Sequence, residues 1–113
     1  MNHPNFQDWD AIGRRLRDQA ERDAVRITLH AHQEMVDEDI SYDEVKDVLL
    51  GAGVVENYPD HQRGACCLTC SSTRRNRFIH VVCTTSQELA VIITAYEPKP
   101  PKWVTPFERG TRE

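Results

Sequence analysis

Arg77–Cys83 reads RFIHVVC and Leu89–Tyr96 reads LAVIITAY, and these two segments carry the strongest strand signal in the chain. Both are apolar and rich in β-branched residues. Only the polar link Thr85-Ser86-Gln87-Glu88 separates Leu89 from the end of the first run, which is the pattern of a β-hairpin. The segment Glu97-Pro98-Lys99-Pro100-Pro101-Lys102-Trp103 follows at once. Proline has no backbone N–H to give to a ladder, so the sheet is expected to stop there. Upstream, Val54–Tyr58 and Ala65–Ser71 read as two further strands, joined by the turn-forming segment Pro59–Gly64. Ser72–Asn76 supplies the next turn. Short links between consecutive strands predict a four-stranded antiparallel meander.

Helices are expected ahead of these strands. In Asn5–Ala24 the residues Phe6, Trp9, Ile12, Leu16 and Ala20 recur at spacings of three and four, with Asn5 as the cap and Asp8 in the first turn. The other face carries Arg14, Arg15, Arg17, Asp18, Glu21 and Arg22, and reads as a solvated face or as an arm for a partner. Val25–Leu29 reads as a short extended entry. Thr28 caps a second helix over His30–Glu38, with Ala31, Met35 and Val36 expected inward. Ser41-Tyr42-Asp43-Glu44 is a capping box, in which the serine accepts from the N3 amide and the glutamate reaches back to the serine amide. It opens a third helix with Tyr42, Val45, Val48 and Leu49 inward. Gly51 and Gly53 are expected to end it through the left-handed conformation that glycine accepts cheaply. The fold class is therefore α+β: two or three N-terminal helices packed on a four-stranded antiparallel sheet. Residues 1–24 read as a helical extension, 25–104 as a single domain, and 105–113 as a flexible tail.

A chain of 113 residues with 39% hydrophobic and 28% charged residues suffices for one core. No apolar run reaches membrane-spanning length, so no membrane partner is expected. The first residues, MNHPNFQDWD, lack the basic and apolar regions of a secretory signal, and a cytoplasmic location is expected. Charge is uneven. Met1–Asp60 holds 14 acidic and 6 basic residues, a net of −8, whereas His61–Glu113 holds 4 acidic and 8 basic, a net of +4. The first half suits a basic partner and the second suits phosphate. Cys67-Leu68-Thr69-Cys70 has the spacing of a zinc or redox motif. Within a strand, however, Cys67 and Cys70 point to opposite faces, and no second ligand pair follows. Buried thiols are expected, with no metal and no cofactor.

The order of landmarks resembles a family known only as a domain of unknown function, DUF family 4258. These landmarks are Thr28, His30-Ala31, Met35, Ile40-Ser41, Gly53, Glu56-Asn57-Tyr58-Pro59, Cys67, His80-Val81-Val82, and Tyr96-Glu97-Pro98 through Trp103. The likeness spans about Arg26–Arg109. The family is similar to RelE and MqsR-type toxins, which are paired with small antitoxins carrying a YgiT-type zinc finger. The resemblance thus implies a RelE-like fold, a small antitoxin-like protein partner, and a toxin that cleaves RNA. The chain departs from the broader pattern at Glu34 and Glu38, where Arg-Met-x-x-Arg is usual. Acids in those places remove donors that can hold phosphate.

Metal-free RNA cleavage needs a proton acceptor for the 2′-hydroxyl, a donor for the 5′-oxygen, and cations for the charge between them. His30, at a helix start, and His80, within a strand, titrate near neutrality as a class. Tyr96 ends the last strand. Arg74, Arg75 and Arg77, with Lys99 and Lys102, are the candidate RNA-binding cations. Each has a plainer reading: His30 as a packing or capping residue, His80 as a satisfied core histidine, Tyr96 as the last core aromatic. Glu97 reads as a surface residue closing the strand, and Trp103 folds back on the domain or stacks on a base. Pairing Cys83 with Ala90 puts His80 and Tyr96 on opposite faces, while a shift of one residue unites them. The sequence supports a toxin-like endoribonuclease and, as the alternative, a non-catalytic domain that engages a small protein.

Overall fold

The computed structural model describes residues 8–62 and 64–110. In chain order the elements are α1 (Trp9–Glu21), β1 (Val25–Ile27), α2 (Leu29–Glu38), α3 (Tyr42–Gly51), β2 (Val54–Tyr58), β3 (Cys66–Ser72), β4 (Phe78–Thr84), β5 (Ala90–Tyr96), β6 (Trp103–Thr105) and β7 (Glu108–Arg109). The domain is α+β, with three helices ahead of the main strands among the described residues.

The sheet differs from the expected one. It has five strands in the order β1-β5-β4-β3-β2. The meander β2–β5 is antiparallel, but β1 joins its outer edge parallel to β5, with Val25 opposite Ala90. The entry segment before α2 is therefore a strand, and the sheet is mixed. Three residues with Arg26 exposed carry little strand signal, and their partner lies some 65 positions downstream.

α1 is capped by Asp8, whose Oδ1 accepts from Ala11 N at 2.9 Å. The expected cap Asn5 and stripe residue Phe6 lie outside the described residues. Leu16 and Ala20 enter the core, and Gly13 lets α1 approach the residue after α3, since a Cβ there would stand 2.9 Å from the Ala52 oxygen. Thr28 caps α2 as expected. Its hydroxyl also donates to the Ile92 carbonyl at 2.8 Å, tying the helix start to β5. Val36 does not face inward and is 66% exposed, because it lies about 100° around the helix from buried Met35. Tyr42 is likewise partly exposed and donates to Asp23 Oδ1. The capping box at Ser41 and Glu44 forms in both directions. The end of α3 departs from expectation. Ala52, not a glycine, takes the left-handed conformation with φ 55°. The neighbouring glycines answer to space: a Cβ on Gly51 would collide with Ser71 Oγ, and one on Gly53 would stand 2.6 Å from the Cys70 oxygen.

The helices cover one face of the sheet. Cys67, Ile79, Val81, Cys83, Ala90, Ile92 and Ala95 meet Leu16, Ala31, Met35, Val45, Val48 and Leu49 there. Cys67 and Cys70 face opposite ways, Cys67 opposite Cys83 and Cys70 opposite His80. All four cysteines are buried thiols. The far face is covered by β6 and β7, which pair as a hairpin across the boundary at residue 105 where a flexible tail is expected. Apolar Trp103, 2% exposed, supplies the driving force for that return. No helix among the described residues is long and apolar enough to cross a membrane.

Candidate functional site

The register of β4 on β5 settles which chemical groups meet. His80 stands directly opposite Tyr96, Val81 opposite Ala95 and Val82 opposite Thr94, but Cys83 pairs with Ile92. Ile93 is the extra residue of a β-bulge, which shifts the parity between the two ends of the hairpin. His80 and Tyr96 therefore share the far face.

His80 is fully buried. Its Nε2 lies 2.6 Å from the Pro106 carbonyl oxygen and its Nδ1 3.1 Å from the Tyr96 hydroxyl. A carbonyl only accepts, so Nε2 carries the hydrogen and Nδ1 is left to accept from the Tyr96 O–H. Burial holds the imidazole below its ordinary pKa, against the pull of the Pro106 carbonyl and of Glu56. Burial also raises the Tyr96 phenol, while Trp103 and the charge of Arg109 work to lower it. The Trp103 ring meets His80 edge to face, with centroids 4.4 Å apart. Its Nε1 is buried and finds no hydrogen-bond partner among the described residues. Arg109 lies over the indole at 4.7 Å and grips Glu56 through two bonds of 2.7 and 2.9 Å. That guanidinium holds the Glu56 carboxyl below the usual range. Tyr58 also donates to Glu56, and burial first, then that carboxylate, push its phenol upward.

The other side of the same strand end is built by α2. Glu34 Oε1 accepts from the Ala95 amide at 2.9 Å and from the Thr94 hydroxyl, and Glu38 Oε1 accepts from the Glu97 amide at 2.8 Å. Two carboxylates one helical turn apart thus satisfy alternate amides along the open half of β5, in place of a sixth strand. His30 Nε2 lies 3.4 Å from Glu34 Oε2, on the exposed side. The Glu34 charge acts on Tyr96, raising its pKa. His80 touches Tyr96 directly, whereas His30 contacts Glu34.

The arginines go elsewhere. Arg74 pairs with Asp43 and Asp47, Arg75 with Asp39 and Glu44, and Arg77 with Glu44 and Glu97. They bind the β3–β4 turn to the ends of α2 and α3, on the helix side of the sheet. Glu44 is fully buried at their centre and also takes the Thr73 hydroxyl at 2.8 Å. Arg77 chiefly, aided by Thr73 and the Ser41 amide, holds Glu44 at about 2. Glu97 closes this cluster from β5. Lys99 and Lys102 are exposed where the chain enters the hairpin, and the Lys102 charge opposes protonation of His80.

Of the residues expected from sequence, His80 and Tyr96 meet on the far face, while His30 stays on α2 against Glu34. Lys102 is within electrostatic reach, and the three arginines sit behind the sheet. Glu56, Pro106 and Arg109 are not singled out for chemistry by the sequence, although Glu56 lies in the Glu-Asn-Tyr-Pro landmark, and Glu34 stands out there only as an acid in place of an arginine. Two cavities, of about 520 and 460 Å³, lie against α1 and are lined by none of His30, His80 or Tyr96.

Residues 27–97 match the family model described as Domain of unknown function (DUF4258). No curated protein and no solved structure matches the chain significantly.

Proposed function

Because the chain belongs to the DUF4258 family, whose description attaches no activity, we propose its function from the site: the toxin-like component of a bacterial type II toxin–antitoxin pair, acting as a metal-independent endoribonuclease. The observation that carries this reading is the bonded pair of buried His80 and half-buried Tyr96 on the far face of the sheet. His30 lies 3.4 Å from Glu34 on α2, whose carboxylate reaches the edge of β5 beside that pair.

The chemistry is proton transfer around a phosphodiester. Neutral His80 accepts the Tyr96 proton at Nδ1 as the Tyr96 oxygen takes the proton of the 2′-hydroxyl. The 2′-oxygen then bonds to phosphorus while the bond to the 5′-oxygen breaks, and the proton held by His80 returns through Tyr96 to that leaving oxygen. A 2′,3′-cyclic phosphate and a 5′-hydroxyl result. Lys99 and Lys102 at the hairpin entrance are the cationic groups placed for the substrate phosphates, with His30 on the open side as a further polar contact. The RelE-like character of the fold belongs to this proposal, supported by helices on one sheet face and acid–base groups on the other. So do the cytoplasmic location and a small antitoxin-like partner, with or without a zinc finger.

A second reading is favoured by one specific observation. Arg74, Arg75, Arg77 and Arg109 are all matched by carboxylates of this same chain, which leaves few cations for RNA. A non-catalytic domain would instead use the exposed apolar pair Leu29 and Val36, two helical turns apart on α2, to engage a small protein.

The test is RNA cleavage by the purified chain in excess chelator, alongside growth and RNA integrity on induced expression with and without the neighbouring gene. The expected result is cyclic-phosphate ends, growth arrest rescued by the neighbour, and a loss of about 100-fold in rate for Tyr96→Phe and His80→Gln with the fold retained. Intact RNA and normal growth with a folded wild-type chain would transfer the assignment to the binding domain.

A further inference from the structure

The family match ends at residue 97, yet the His80–Tyr96 pair is completed by residues beyond it. We infer that the C-terminal hairpin, residues 103–110, is a working part of the site: its Pro106 carbonyl sets the direction in which His80 takes a proton, and its Trp103 N–H is a donor held for the Tyr96 oxygen. The inference rests on the reading of His80 and Tyr96 as the acid–base pair.

Two independent features support it. The first is the bond from His80 Nε2 to Pro106 O at 2.6 Å. It consumes the one hydrogen of the neutral ring, so only Nδ1 can accept, and Nδ1 faces Tyr96 at 3.1 Å. Without that carbonyl the ring could turn over or exchange its proton between nitrogens, and Tyr96 would lose a defined acceptor. The second is the orphan indole N–H. A buried donor without an acceptor costs on the order of 1–3 kcal/mol, so its persistence calls for a reason. Trp103 is 2% exposed and is anchored by the T-shaped contact with His80 and by Arg109 over its face. Its effect on Tyr96 is to favour the phenolate. The buried N–H is unspent in this structure, and a phenolate at Tyr96 would offer it a charged acceptor that the neutral phenol does not, which is the condition for stabilising a transition state over a ground state.

The hairpin is placed to hold this arrangement. Arg109 fastens β7 to Glu56 on β2, and Phe107 packs edge-on against Phe78 of β4 at 5.6 Å. Gly110 donates to the Lys102 carbonyl at 2.8 Å, where any side chain would collide with the Pro101 oxygen. The charged or titratable groups around the pair are Glu56 from β2, Cys70 from β3, Glu34 from α2, and Lys102 and Arg109 from the hairpin. Cys70 stays a neutral thiol, pushed up to about 12 by burial.

The experiment uses the full chain and two readouts. The first is nuclear magnetic resonance of the labelled His80 ring at pH 7. The expected result is a visible Nε2–H proton, protected from exchange, with Nδ1 unprotonated. Arg109→Gln, which unfastens the hairpin from Glu56, should speed that exchange by at least about tenfold. The second readout is the Tyr96 titration in Trp103→Phe, which keeps an aromatic ring but removes the N–H. It should rise by about one pH unit, the equivalent of one lost hydrogen bond to the charged form. In RNA cleavage the same variant should lower kcat about tenfold with KM unchanged. A protonated Nδ1, or an unshifted Tyr96 titration in folded Trp103→Phe, would overturn the inference. If Trp103→Phe does not fold, unchanged exchange in Arg109→Gln overturns it equally. A wild-type chain that cuts no RNA but shows the protected Nε2–H and the shifted titration would refute the nuclease reading and leave the proton geometry standing.

Discussion

Two polar clusters lie back to back at one end of the sheet and are built on opposite principles. On the helix side, the β3–β4 turn brings Arg74, Arg75 and Arg77 against Asp39, Asp43, Glu44, Asp47 and Glu97. Every cation there has a carboxylate. On the far side, His80 and Tyr96 are neutral, and the Trp103 N–H is unspent. The first cluster has little left to offer a ligand, and the second has groups that can still move a proton. Charge alone is thus a poor guide to the site in this molecule. The acidic N-terminal half and the basic C-terminal half, which suggest two external partners when read along the chain, are in large part each other's partners.

Among isosteric changes, the largest effect is expected on the helix side. Glu44→Gln removes the charge that Arg77 and Arg75 share in a buried setting. Arg77 keeps Glu97 and Arg75 keeps Asp39, so the charges are left under-matched rather than stranded, and the expected cost is about 2 kcal/mol, read as a lower urea midpoint. The protected Nε2–H of His80 should be unchanged in the variant that remains folded. Loss of that signal together with stability would show that the two clusters are one unit.

Acid should separate the two faces by pH. The folded His80 pKa lies below the ordinary 6.5, so between those values the unfolded chain binds a proton that the folded chain refuses. Its contribution is complete above 6.5 and is lost as pH falls toward the folded value. Glu44 behaves as a depressed carboxylate. Its contribution is complete above the ordinary 4.5 and is lost as pH falls to about 2. Asp39 and Asp47, lowered by Arg75 and Arg74, add to the lower step. Unfolding midpoints across pH should therefore fall in two stages. His80→Gln should flatten the upper stage alone, and Glu44→Gln should shrink the lower. A single stage insensitive to His80→Gln would contradict a neutral, buried His80.

The parts of the molecule legible in sequence are the local ones. Thr28 caps α2, and Ser41 with Glu44 caps α3, because these bonds span three residues. The meander is legible because its turns are short. What could not be read depends on long-range contacts or on one extra residue. The parallel strand β1 is defined by β5, far along the chain. Glu44 is visible as a capping residue, but its second role needs Thr73 and Arg77, 29 and 33 positions away. The union of His80 with Tyr96 turns on the bulge at Ile93, since one inserted residue reverses the parity that alternation would assign. Trp103 folds back as its apolar bulk suggests. The Pro106 carbonyl, a backbone group in a polar-looking tail, leaves no side-chain signal at all.

Among isosteric changes, the smallest effect is expected where the two clusters come closest, at the open half of β5. Glu34 occupies a position where the family resemblance leads one to expect arginine. Here its carboxylate serves as the partner of an edge amide at Ala95 and as the orienting group of His30. Glu34→Gln keeps an acceptor for that amide and should change stability by less than about 0.5 kcal/mol. Glu34→Arg removes the acceptor from the amide of buried Ala95, so the cost should be about 1–3 kcal/mol. The same change replaces a charge that raises the Tyr96 pKa with one that lowers it, so the Tyr96 titration should move down. RNA affinity should rise if the arginine expected at that position is a phosphate ligand. Measured by urea midpoint, tyrosine titration and RNA binding on one variant, the three readouts separate the structural use of position 34 from a chemical one. A stability change with no movement of Tyr96 would confine Glu34 to the strand edge and remove His30 from the site.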